Sequence, residues 1–273
     1  MTAGPRGPLG IIAGRGDLPR TLAEARAAAD APYLVVALDG FAGEWIESHP
    51  HVRHPITAPS RILASLRSIG ATDVVAAGGV DRPSLRALTD PLAVRWLPRL
   101  APAMMKGDDA LLRTVKILLE DEGLRLIGAE EVIGLTAMEG LLVGPAPSPI
   151  DTGDAERGEA ILAALGPLDV GQACVVASGR VLGIETIQGT DALLDFVGRT
   201  RTAGQGAEGG VLTKRAKVGQ DRTLDLPTIG PATVEGVARA GLHGIAIERG
   251  AVHVLDGTLD AAAAEGLFVW ARR

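Results

Sequence analysis

The chain has 273 residues, 47% of them hydrophobic and only 3% aromatic, with a formal net charge of −6. That length allows two domains, and a core built mainly from Ala, Val, Leu, Ile and Gly suits packed α/β layers better than an aromatic-rich β sandwich. The acidic balance speaks against a nucleic-acid binder, and the single cysteine, Cys174, excludes an intrachain disulfide or a multi-cysteine zinc site.

Leu9 to Ala13 reads as a buried strand. Gly14-Arg15-Gly16-Asp17 is a tight turn, and Leu18 to Ala29 follows as an Ala-rich helix whose Pro19 fits the first turn. Tyr33 to Leu38 predicts a second strand, and Pro59 to Ile69 a helix closed by Gly70. Asp73 to Ala77 is a third strand, running into Gly78-Gly79-Val80. This alternation predicts parallel pairing with right-handed crossovers. His49, His51 and His54 match no metal-ligand spacing, and Pro50 and Pro55 favour a strand edge or loop. Pro91 to Met105 is either a proline-broken packing helix or an apolar surface for acyl chains. Asp109 to Glu122 is a further helix, which Asp108 or Asp109 is placed to cap. Leu124 to Gly128 is a short strand.

The Gly- and Pro-rich stretch after Glu130 reads as a hinge. The expected organisation is a Rossmann-like parallel-sheet domain over 1–132, a hinge over 133–148, and a distinct C-terminal α/β domain over 149–273. In that second domain Ile150 to Leu165 is helical, with a cap expected near Asp151. Gln172 to Ala177 and Arg180 to Glu185 form a hairpin about Ser178-Gly179, with Cys174 in its core. Gly189-Thr190-Asp191 opens a helix, and Arg199 to Gly210 is a loop. Val211 to Thr213 is a strand, and Pro231 to Ala240 a helix. Ile245 to Glu248, Val252 to Leu255 and Leu267 to Trp270 are closing strands. No signal peptide or membrane-spanning run is evident, so a cytoplasmic location is expected.

Chemistry concentrates between Lys214 and Asp225, where Lys214, Lys217, Gln220, Asp221 and Asp225 crowd together. Amines suit phosphate oxygens, and carboxylates suit a metal or a water. A charged surface loop is the competing reading. Gly14, Arg15 and Gly16, with Gly78, Gly79 and Val80, are placed at the carboxyl ends of strands, where open parallel sheets bind ligands. Their N–H groups are candidate phosphate donors. Pro19 stands where a dinucleotide fingerprint wants glycine, although Asp39 follows the second strand. Lys106 precedes a helix and is either a phosphate contact or a solvated lysine. Gln188, Gly189, Thr190 and Asp191 form another strand-to-helix turn, suited to a sugar or anion or to simple capping by Thr190.

Ile12 to Pro19, Lys106-Gly107-Asp108-Asp109, Gly189-Thr190-Asp191 and Lys214 to Gly230 together resemble the LpxI family of UDP-2,3-diacylglucosamine pyrophosphatases, which serve lipid A synthesis in Gram-negative bacteria. Val218 and Thr223 depart from the family's usual proline and arginine. The resemblance implies a magnesium-dependent hydrolase that cleaves UDP-2,3-diacylglucosamine to UMP and 2,3-diacylglucosamine 1-phosphate (lipid X), with water directed at the phosphorus nearer the sugar. It implies Mg2+ as cofactor, Asp225 and Asp221 as metal ligands or water activators, and Lys214 and Lys217 as phosphate-neutralising groups. It also implies a homodimer. A lipid-linked UDP-sugar as substrate leaves room for peripheral contact with the inner membrane, though no strongly basic amphipathic helix speaks for it. The alternatives are a nicotinamide-dependent oxidoreductase using the first-domain crevice and a non-catalytic nucleotide-sugar or lipid-binding protein.

Overall fold

The computed structural model describes residues 5, 7–81, 89–134, 139–201, 209–217 and 226–273, with 108 and 109 by backbone only. Two compact units divide the chain at Gly134 and Leu135.

In the first unit, Leu9–Ala13 (β1), Tyr33–Leu38 (β2), His51–His54 (β3), Asp73–Ala77 (β4) and Arg125–Leu126 (β5) form one sheet in the order β3-β2-β1-β4-β5, every pair parallel. Leu18–Ala28 (α1), Pro59–Ser68 (α2), Pro91–Met104 (α3), Asp108–Asp121 (α4) and the short Glu130–Ile133 (α5) accompany it. The period of two along a strand decides which residue meets which helix. Val35 and Ala37 bury on the α1 face with Leu22 and Ile46, while Leu34, Val36 and Leu38 bury on the α2 face with Leu63, Leu66 and Trp96. Each fully buried Val, Leu or Ile on these faces contributes roughly 1.5–3 kcal/mol.

β3 is the edge strand of this sheet, one of the two placements that Pro50 and Pro55 favour. Its histidines are used singly: His54 Nε2 meets Ser65 Oγ at 2.9 Å, and His49 Nδ1 before it meets the Tyr33 hydroxyl at 2.6 Å. α3 runs through Pro98 and Pro102 without breaking, although each proline removes one helical hydrogen bond. Packing compensates: Trp96 is buried, Asp90 Oδ1 caps the helix by accepting from Leu92 N–H, and Arg95 and Arg99 bridge to Glu122 and Asp121. Gly107, not an aspartate, is the N-cap residue of α4.

The second unit holds Gly140–Val143 (β6), Pro149–Leu165 (α6), Ala173–Ala177 (β7), Arg180–Ile184 (β8), Gly189–Thr200 (α7), Val211–Lys214 (β9), Thr228–Ile229 (β10), Pro231–Arg239 (α8), Gly244–Glu248 (β11), His253–Val254 (β12), Thr258–Ala264 (α9) and Phe268–Arg272 (β13). Six strands form a mixed sheet, β6-β13-β11-β9-β7-β8, with β9, β11 and β13 parallel. A small parallel pair, β10 with β12, stands apart. One sheet face packs Val175, Leu212, Ile245 and Val269 against α7, α8 and α9. The other packs Cys174, Val176, Val211 and Ala246 beneath α6. Cys174 is a core residue, and burial pushes its thiol up to about 11, which keeps it protonated and unreactive at neutral pH.

The expected hinge over 133–148 contains β6, which pairs antiparallel with β13. The cap of α6 is Ser148, with Asp151 returning its carboxylate to the Ser148 N–H in a capping box. No helix among the described residues is long and apolar enough to cross a membrane.

Candidate functional site

β9 ends at the centre of the second sheet, and its last residue is a lysine. Lys214 is only 7% exposed, so its ammonium needs partners that repay lost hydration. It donates at 2.9 Å to Thr190 Oγ1 in the first turn of α7, and at 2.9 Å to the Thr228 carbonyl in β10. Three elements distant in sequence therefore converge at the carboxyl end of a strand flanked by a parallel neighbour, where α/β sheets place ligands.

Thr190 does not cap α7, which lacks any side-chain cap. Its hydroxyl donates instead to Glu185 Oε1 at 2.7 Å, and Glu185 Oε2 accepts the Gln172 N–H at 2.9 Å. Gly189 begins the helix with φ of +86°, Asp191 is exposed in its first turn, where a negative charge complements the helix dipole, and Gln188 takes a contact from Thr186.

Beyond Lys214, the Arg215 N–H reaches the Gln172 carbonyl at 3.0 Å, and the Ala216 N–H reaches Glu248 Oε2 at 3.2 Å. Lys217 is paired with Asp169, which sits in left-handed backbone with φ of 55°. Ala216 and Leu226 are buried together with Ala251, so both flanks of the charged segment are anchored in apolar packing. Gln220, Asp221 and Asp225 lie outside the described residues. Among the described residues no three His, Cys, Asp or Glu side chains gather as a metal-binding set. The carboxylates of Glu185, Asp169 and Glu248 are each engaged by a protein donor. The described part of the site thus offers the ammonium groups of Lys214 and Lys217, which suit phosphate oxygens.

Sequence reasoning missed Glu185, Asp169 and Thr228. A weak signal existed at Asp169, since a non-glycine in left-handed backbone is most readily Asp or Asn.

The first unit brings its two glycine loops together. In the order β3-β2-β1-β4-β5 the chain reverses direction across the sheet between β1 and β4, and both loops leave the carboxyl ends of those strands. Arg15 N–H donates to the Gly79 carbonyl at 2.9 Å, Gly79 N–H returns to the Arg15 carbonyl at 3.1 Å, and Gly14 N–H donates to the Ala77 carbonyl at 2.8 Å. A Cβ on Gly14 would stand 2.6 Å from the Gly79 oxygen, so glycine is a packing requirement there. The expected phosphate cradle accordingly loses the N–H donors of Gly14, Arg15 and Gly79, which satisfy one another's loop. Arg15 also forks onto Asp81 at 2.5 and 3.1 Å and lies 5.0 Å above the Phe41 ring. The hydrogen bond from Arg15 holds the Asp81 carboxyl below its usual range. Gly16, Val80 and Lys106 are exposed around this unit.

Two family models match the chain: the LpxI N-terminal domain over residues 8–135 and the LpxI C-terminal domain over residues 138–270. The chain is 41% identical over 268 residues to a protein of Caulobacter vibrioides named UDP-2,3-diacylglucosamine pyrophosphatase LpxI, with 96% of each chain covered.

Proposed function

Because the chain belongs to the LpxI family, we propose that it hydrolyses the diphosphate of UDP-2,3-diacylglucosamine to UMP and lipid X in lipid A synthesis. Support comes from the near full-length similarity to the Caulobacter vibrioides protein of that name. The single structural observation behind the proposal is the buried Lys214, held by Thr190 and Thr228 at a strand's carboxyl end.

A diphosphate resists water because its charged oxygens repel a nucleophile. A cation fixed in place, in surroundings of low polarity, relieves that repulsion without reorganising during the reaction. Lys214 carries this role, pre-oriented by the Thr190 hydroxyl and the Thr228 carbonyl. Lys217 adds a second positive charge once its pairing with Asp169 is shared with substrate. Thr190, Gly189 and Asp191 hold the sugar side or the diphosphate. Water attacks the phosphorus nearer the sugar, and the bridging oxygen leaves with UMP. Asp225 orients that water or holds the metal. Asp221 and Asp225 would hold Mg2+, which takes one or two protein carboxylates and keeps several waters, and which when bound polarises phosphoryl oxygens. The arrangement is proposed to work as a homodimer that meets its lipid substrate at the inner membrane.

The test is incubation with UDP-2,3-diacylglucosamine and magnesium, with and without EDTA. UMP and lipid X should appear together and only without chelator. Intact substrate in both arms, together with a melting temperature raised by NAD or NADP, would turn the assignment toward the oxidoreductase.

A further inference from the structure

Glu185, just after β8, ties the chain entering β7 to the first turn of α7. Its backbone N–H continues the hairpin by bonding the Ala173 carbonyl at 2.8 Å. A Cβ on Gly171 would stand 2.0 Å from the Glu185 carbonyl oxygen, so the approach leaves room for glycine alone. The two side-chain oxygens then accept one donor each, the Gln172 N–H at 2.9 Å and the Thr190 hydroxyl at 2.7 Å. An ionised carboxylate is acceptor-only, which fixes a direction. The single Thr190 proton must point at Glu185, leaving its oxygen lone pairs for the Lys214 ammonium 2.9 Å away.

We propose that Glu185 is the positioning residue for Lys214, setting the Thr190 hydroxyl so that it can only accept from that ammonium. Glu185 acts through Thr190 and does not touch substrate; its role in turnover rests on the hydrolase reading above. Glutamine cannot replace it. Two donors converge on the position, and an amide offers one acceptor and one NH2 donor. Either the Gln172 N–H faces a donor, or the Thr190 proton is turned toward Lys214.

The experiment pairs kinetics with 15N NMR of lysine ammonium groups. Glu185→Gln should lower kcat/KM by about ten- to a hundredfold, the range expected for one hydrogen bond to a charged group, with the loss falling on kcat. In a Lys214→Met background the same change should cost less than about threefold, because the two residues act as one unit. A merely structural Glu185 would impose the same factor in both backgrounds, and that result overturns the proposal. In the spectra, the Nζ–H signal absent from Lys214→Met should be sharp in wild type and in Thr190→Ser, and broadened or lost in Glu185→Gln and Thr190→Val. An unchanged signal in Glu185→Gln and Thr190→Val refutes the proposal, and Thr190→Val alone decides if Glu185→Gln does not fold. Absence of wild-type UMP release would count against the hydrolase reading alone, since the NMR arm needs no turnover.

Discussion

Replacing Lys214 with methionine separates catalysis from packing. Methionine keeps the length and apolar stem and removes the charge. Among the described residues Lys214 donates at 2.9 Å to both Thr190 and Thr228, each bond worth about 1.5–3 kcal/mol as a bond to a charged group. Against that stands the penalty of burying an ammonium, several kcal/mol, which methionine escapes. The two largely cancel, so folding stability should change by no more than about 2 kcal/mol, or up to ~8 °C in melting temperature for a chain of this size. Catalysis has no such offset. Loss of a fixed charge from the site should lower kcat by about 100- to 1,000-fold. The assay is UMP release by Lys214→Met at saturating substrate, with thermal unfolding measured on the same sample. A folded variant within about threefold of wild-type turnover refutes the assignment of Lys214 to the reaction.

Asp225→Ala is expected to fold and bind substrate while scarcely turning it over; wild-type-like turnover with tight binding would remove Asp225 from the mechanism. Gly14→Ala would place a methyl 2.6 Å from the Gly79 oxygen and 2.8 Å from the Gly78 oxygen, so urea unfolding should show a loss of about 1–3 kcal/mol, and an unchanged midpoint would contradict the loop contact. Burial alone would raise the Asp151 carboxyl, but hydrogen bonds from Ser148 and His243 outweigh it and hold the pKa below its ordinary value. The resulting stabilisation is present above the unfolded-state pKa of about 3.9 and fades as pH falls through the lower folded value. Wild type should therefore exceed Asp151→Asn by about 1 kcal/mol at pH 7, with the gap closing in acid; a gap independent of pH would contradict the account.

Most of the architecture was legible because its signals are local. β1, β2 and β4 are short apolar runs ending at turn residues, and their spacing dictates parallel pairing. β3 was obscured because His-Val-Arg-His buries little on either face of an edge strand. β6 was hidden among glycines, and its pairing is made with β13, about 130 residues later in the chain. α9 is too short, at Thr258–Ala264, for a helical period to stand out. At the site, Lys214 and Thr190 were found separately by residue type, yet their mutual hydrogen bond needs the tertiary fold. Glu185 and Asp169 carried no motif at all. Their contacts span 5, 13 and 48 positions, and no sequence period encodes them. At the first glycine loop the glycines marked the turn, while the close approach of the Gly14-Arg15 and Gly78-Gly79 backbones, which engages the N–H groups of Gly14, Arg15 and Gly79, needs the tertiary fold.

The most direct measurement is turnover of UDP-2,3-diacylglucosamine in 18O-labelled water with magnesium, read by mass spectrometry of both products. The account predicts one 18O in the phosphate of lipid X and none in UMP. Label in UMP would contradict the proposed point of attack, and recovery of intact substrate would contradict the hydrolase itself.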